Sequence, residues 1–238
     1  MLWYKAWLET RVRFLICLIG MTVLCWYPVH DDNRRAQPDT TLTYYHSSVH
    51  SGHGAIGVLW LVAVIFLMMG GLLREKATGG AAFTLALPFS RAQLMGVRIT
   101  TGMIEGIILI LVPSAAIYIE ATIFGKPYPV SQVWFHDVLL ISGGMVPFFV
   151  ALLIASLVDG EYTAPLVSFG VLIGAIPLLG DPRVQKFNPY QFMTGSDYFD
   201  RATGLLVGPI PWGQAGIFVL FAALLMAASV KAVQMRDF

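Results

Sequence analysis

Residues 54–73 read GAIGVLWLVAVIFLMMGGLL. Twenty residues pass without one Asp, Glu, Lys or Arg. As an α-helix rising about 1.5 Å per residue, the run spans roughly 30 Å, the thickness of bilayer hydrocarbon. A surface helix of a soluble domain needs a polar face, and this run has none. It lacks strict apolar–polar alternation and is about twice the length of a barrel strand. The stretch is therefore read as a membrane-crossing helix.

Similar blocks recur outward from it, at about Phe14–Val29, Ile99–Ile119, Val138–Val158, Tyr162–Leu179 and Pro211–Val230. The chain of 238 residues is 57% hydrophobic and 12% charged, against about 25% charged in soluble domains. The expected fold class is all-α: a polytopic membrane protein with six transmembrane helices, in one membrane domain over residues 1–238. No internal repeat or second domain is visible. The first block follows Arg11 and Arg13 but closes on CWYPVHDD, without a small-x-small cleavage site. It is read as a retained span. Its two cysteines, Cys17 and Cys25, would lie about 12 Å apart along one helix, too far for a disulfide.

Six spans place both termini on one side. With that side cytoplasmic, the inner basic residues are Lys5, Arg11, Arg13, Arg74, Lys76, Arg91, Arg98, Lys231 and Arg236, nine of the fifteen. The excess fits the positive-inside rule. The orientation makes residues 74–98 a cytoplasmic connection and leaves residues 30–53, 120–137 and 180–210 outside. The last has Phe187, Tyr190, Phe192, Tyr198 and Phe199 and is expected to fold back on the membrane surface. Ahead of the first span, WYKAWLETRVRF puts Lys5, Glu9 and Arg13 on one helical face opposite Trp3 and Trp7. That pattern predicts an N-terminal interfacial helix; a plain extension of the first span is the alternative.

The chain has no G-x-x-x-x-G-K-[ST] phosphate loop, H-E-x-x-H motif, Cys-x-x-Cys pair or G-x-S-x-G elbow. It is not expected to hydrolyse ATP, and nothing points to nucleic acid. Glu105 reads as the one acid well inside a span. Arg98, Thr101 and Glu105 share a helical face beside Gly102 and Gly106. An intramembrane carboxylate marks either a substrate path or a helix contact. His46, His50 and His53 in HSSVHSGH are spaced by four and three. They are read as a solvated external loop, with a metal site as the minor alternative. Small residues at Gly143 and Gly144, Gly170 and Gly174, Ala151 and Ala155, and Ala223 and Ala227 suit helix packing.

The connection itself, REKATGGAAFTLALPFSRAQLMGVR from Arg74 to Arg98, resembles the type-2 permeases of ABC (ATP-binding cassette) exporters. Glu75 and Gly79 match an acid and a Gly-Thr pair after the second span, with Gly80 in place of the threonine. Pro88, Ser90 and Arg91 match a following Pro-x-Ser-Arg, and Arg98 stands near a basic position opening the third span. The resemblance implies a permease in the cell membrane that pairs with a second permease chain, identical or not. Each chain would dock a separate ABC ATP-binding subunit, which carries the ATP and magnesium. It implies that residues 74–98 hold a cytoplasmic coupling helix between spans two and three, with Glu75, Gly79, Pro88, Ser90 and Arg91 at the partner contact. AAFTLAL is helix-compatible and Pro88 would end it. The turn of Asp159, Gly160 and Glu161 is a second cytoplasmic point, read mainly as a tight turn. Rival readings are a non-transporting membrane anchor or immunity-type subunit, and a membrane enzyme or metal-handling protein using Glu105 or the histidines.

Overall fold

The computed structural model describes residues 2–35, 51–68, 90–125, 128–158, 160, 162–181, 184–200 and 202–235. Helices occupy every apolar block: α1 Leu2–Arg35, α2 Ser51–Met68, α3 Arg91–Ile123, α4 Val130–Leu157, α5 Thr163–Leu179 and α7 Trp212–Gln234, with a short α6 at Pro189–Thr194. Among the described residues there is no strand, only one antiparallel bridge between Phe199 and Leu206. Residues Ala92–Ile123, Val130–Leu157 and Trp212–Gln234 are long and apolar enough to cross a membrane, and Gly52–Leu67 and Thr163–Leu179 are shorter apolar helices.

The N-terminal segment is continuous with the helix of the first apolar block. Residues 2–35 form one unbroken helix of 34 residues. No Gly or Pro interrupts the run before Gly20, and Lys5 pairs with Glu9 one turn on, at 3.9 Å. Nothing in the local sequence supplies a bend, so the early turns continue straight into the apolar block.

Helix α4 lies at the centre, packed against α2, α3, α5, α6 and α7, while α1 packs on α3 and α2. Leu139, Leu140, Phe148, Phe149 and Leu152 of α4 are buried, as are Ile56, Val64 and Leu67 of α2 and Leu109, Ile110 and Ile117 of α3. The outward faces are apolar too: Ile16 and Ile19 on α1, Leu166 and Leu178 on α5, and Leu220 and Leu224 on α7 are exposed. A helix apolar on all sides belongs in hydrocarbon. There, lipid tails are as apolar as leucine, so helix association rests on close packing and internal hydrogen bonds.

Trp60 shows that packing at its tightest. Its indole lies between α3 and α4, and Nε1 donates to the Gly106 carbonyl at 2.7 Å. A Cβ at Gly144 would sit 2.9 Å from the ring. The hydrogen bond keeps the ring from swinging clear. Gly144→Ala is therefore expected to destabilise the bundle by about 1–3 kcal/mol, read as a lower melting midpoint of the purified protein; an unchanged midpoint would show the ring free to move. The small residues Gly170, Gly174, Ala223 and Ala227 instead face outward, and Ala222 and Ser229 turn inward on α7.

The 180–210 segment folds against the helices. Asn188 caps α6, its Oδ1 accepting from Tyr190 N at 2.9 Å, and Pro189 follows at the first helical position. Gly195, with φ of 68°, ends α6 in the left-handed region. Phe192 and Met193 are buried over Gly143, where a Cβ would meet Met193 at 2.7 Å. Tyr190 donates its hydroxyl to Leu172 O on α5 at 2.7 Å, and burial pushes this phenol up to about 12. Gln132 at the start of α4 brackets Leu206, donating to its carbonyl at 3.0 Å and accepting from its amide at 2.9 Å. Tyr198 donates to Gln214 at the start of α7. The segment thus closes the end of the bundle where α4 and α7 begin.

Candidate functional site

Of the residues expected at a partner contact, Glu75, Gly79 and Pro88 lie outside the described residues, as do His46 and His50. Arg91 is the first residue of α3. Ser90 is its N-cap: Ser90 Oγ accepts from Gln93 N at 3.2 Å, and Gln93 Oε1 accepts from Ser90 N at 2.9 Å. This reciprocal box satisfies two backbone donors that the helix start would leave open. It also starts α3 eight residues ahead of the apolar block at Ile99. Ser90→Ala should weaken α3 by about 1 kcal/mol and Ser90→Thr or Ser90→Asp should restore it. Unfolding midpoints of the three variants check this; equal loss in all three would remove the capping role.

Glu105 is 2% exposed. Its Oε1 accepts a hydrogen bond from Thr10 of α1. Its Oε2 is buried without a hydrogen-bond partner among the described residues. Thr101 is buried, but its hydroxyl turns back to Val97 O of its own helix at 2.9 Å, and Arg98 is half-buried. The face-sharing of these three residues holds, while the carboxylate's hydrogen-bond donor is a threonine from α1.

Glu105 is not alone. Glu120 was assigned to an external loop, yet it lies inside α3 and is 6% exposed. Trp26 Nε1 donates to Glu120 Oε2 at 2.8 Å, and His30 Nδ1 lies 2.6 Å from Oε1. The His30 ring stacks on Trp26 with centroids 4.6 Å apart. Both donors come from α1, as Thr10 does. Helices α1 and α3 therefore run parallel, pinned at two carboxylates fifteen residues apart, or about 22 Å along the axis.

A second group links α2, α3 and α4. His53 was read as part of a solvated loop; it lies within α2 and is 1% exposed. Helix α2 begins at Ser51 and turns this imidazole into the bundle. His53 Nε2 lies 3.1 Å from Ser114 Oγ. The His53 ring stacks on His136, with centroids 4.2 Å apart and planes at 21°. Ser114, His136 and Asp137 are all less than 5% exposed. Asp137 Oδ1 has no hydrogen-bond partner among the described residues. Rings stacked face to face do not aim their nitrogens at one centre, and no group of three His, Cys, Asp or Glu among the described residues is arranged to hold a metal. A buried polar group needs a partner in a medium without water, and Ser114 and His53 provide one for each other.

No family model matches the sequence. Among curated proteins, the chain is similar to one named "Probable ABC transporter permease YtrD" from Bacillus subtilis (strain 168). The two are 21% identical over 227 residues, covering 92% of this chain and 66% of that protein. The chain thus spans just under two thirds of its relative's length. Together with helices long and apolar enough to cross a bilayer, this likeness makes the chain a membrane protein similar to an ABC transporter permease.

Proposed function

We propose that this chain is the membrane-spanning permease subunit of an ABC exporter, with α1 to α5 and α7 as its six spans and both termini cytoplasmic. It works with a second permease chain and a separate ATP-binding subunit. The observation that carries this reading is the likeness to a permease across 92% of the chain, in a sequence without a phosphate loop. A chain that cannot cradle ATP phosphates itself can draw on ATP only through a contact that transmits a partner's motion. Residues 74–91 supply that contact in this reading, next to the capped start of α3. Substrate then passes between the two permease chains as the pair changes conformation, with no covalent chemistry here. Glu105, with one oxygen free of hydrogen bonds among the described residues, is the residue of this chain assigned to the cytoplasmic half of the path.

The test is co-purification from the native membrane. Recovery of a stoichiometric ATP-binding protein, whose ATPase activity rises when both are placed in vesicles, supports the reading. Recovery with ATPase activity but no ATP-dependent movement of any cargo turns it into a membrane anchor. Purification of the chain without any ATP-binding partner overturns it.

A further inference from the structure

We infer that the α1 side of the bundle opens on water at bilayer depth, in a cleft lined by Lys5, Glu9, Arg11 and Arg13 that admits small soluble anions. The inference rests on the helices crossing a bilayer and not on the permease reading. It needs no ATP-binding subunit, so its test can fail while that reading stands.

The contacts between helices fix their levels against one another. Thr10 of α1 donates to Glu105 of α3, and Trp26 donates to Glu120, at sequence separations of 95 and 94. Residues 5–13 of α1 therefore lie beside residues 100–108 of α3. Trp60 of α2 donates to Gly106 of α3, and its ring covers Gly144 of α4. Farther along, His53 of α2 meets Ser114 of α3 and His136 of α4. Helices α2 and α4 thus run antiparallel to α3. Residues 100–108 of α3 are level with 58–66 of α2 and 142–150 of α4. Those two stretches read VLWLVAVIF and SGGMVPFFV, without one charge. The stretch of α1 at the same level reads KAWLETRVR, with four. Residues 58–66 sit inside the uncharged run 54–73, and 142–150 inside the uncharged run 138–158. A shift of one turn, about 5 Å, leaves most of the charged stretch within hydrocarbon depth.

Charges at that depth face a bundle interior or water. These do not face the interior of this chain. Lys5 and Glu9 pair at 3.9 Å with their side chains 40% and 43% open. Arg11 is exposed and Arg13 half-buried. Long side chains can snorkel to a nearby interface, but Glu9 is short. It is level with Val62, more than about 10 Å from either end of the 54–73 run at helical rise. Hydrocarbon cannot solvate an exposed carboxylate or guanidinium there, and water can. On α2 the same levels meet lipid instead: Val58, level with Arg13, and Phe66, level with Lys5, turn apolar side chains outward. The cleft is thus local to α1. Within it, Lys5 and Glu9 offset each other's charge. Arg11 stands exposed beside the exposed Val12, and its planar fork of donors suits an anion.

Spin labels on the full chain test the cleft. A C17A/C25A background carries V12C or V58C, labelled and placed in phosphatidylcholine vesicles with relaxing agents on both sides. The probes are oxygen, which enters lipid, a neutral nickel chelate, which stays in water, and anionic chromium oxalate. The label at position 12 should respond to the nickel chelate, relative to oxygen, several-fold more than the label at position 58. It should respond to chromium oxalate more than to the nickel chelate, and R11Q should remove that excess while leaving the nickel response. A label at position 12 that favours oxygen, as position 58 does, overturns the cleft. So does a label at position 58 as open to nickel as position 12, because that level would then lie outside hydrocarbon. An absent anion excess, or one that R11Q leaves intact, overturns the anion preference. The levels have their own check. A short bifunctional thiol reagent should bridge T10C to E105C and not T10C to V112C, two turns along α3; the reverse result overturns the register and the inference with it.

Discussion

Glu120→Ala is expected to lower the unfolding free energy of the detergent-solubilised protein by about 2–4 kcal/mol. One carboxylate receives both Trp26 Nε1 and His30 Nδ1, at 2.8 and 2.6 Å. Removing it strands two donors of α1 in a site only 6% open at Glu120. Single side-chain hydrogen bonds between membrane helices are worth about 0.6–2 kcal/mol, so two of them on one ion set the scale. Glu120→Gln keeps one acceptor and should lose about half as much. The Trp26→Phe and Glu120→Ala effects should be strongly non-additive in a double-mutant cycle. Additive losses would show that Glu120 acts through something other than α1. Glu105 provides the contrast. It receives Thr10 alone and leaves Oε2 without a hydrogen bond among the described residues. Glu105→Leu should therefore be close to neutral for stability, since an apolar group of similar size removes an unsatisfied acceptor. Its effect should appear in transport, and unchanged transport and assembly in Glu105→Gln would remove it from the path.

The second large effect is on coupling. Charge reversal at Glu75 or Arg91, or Pro88→Ala, is expected to cut ATP-driven transport tenfold or more, by about 1.4 kcal/mol per decade. The partner's basal ATPase should persist and all spans should remain inserted. Truncating one member of a hydrogen-bonded charge pair at an interface costs about 2–5 kcal/mol, enough for that loss if either charge meets the ATP-binding subunit. Ser90→Thr is the matching control, because it retains the cap of α3 and should transport normally. Reversal variants that hydrolyse ATP and transport at the wild-type ratio would move the contact elsewhere in the chain.

The positions of the long helices were legible because apolar runs without charge have few other uses. Their ends and their interior partners were not. Glu120 and Asp137 each stand one residue beyond an expected block, and a charge was taken as the place where hydrocarbon stops. Both instead lie within a helix and are buried, and Glu120 accepts from Trp26 of α1. His53 was misplaced for a related reason. Its neighbours Ser51, Gly52 and Gly54 are loop formers in isolation, and its contacts with Ser114 and His136 are distant in sequence. The start of α3 could have been found, since Ser90-x-x-Gln93 is a capping-box pattern. Small residues announced close packing without saying which face: Gly143 and Gly144 meet Met193 and Trp60, whereas Gly170 and Gly174 meet nothing within 4 Å.

The pairing of α1 with α3 has a mechanical meaning. Two parallel rods joined at one point can pivot or slide past each other, but joined at Thr10–Glu105 and again at Trp26–Glu120 they resist both. Helix α3 has 33 residues, roughly 50 Å from end to end, and begins directly after the 74–90 connection. A push delivered at Ser90 is then not absorbed as shear between neighbours. In the proposed exporter, it would travel the length of a riveted beam to the far end of α3.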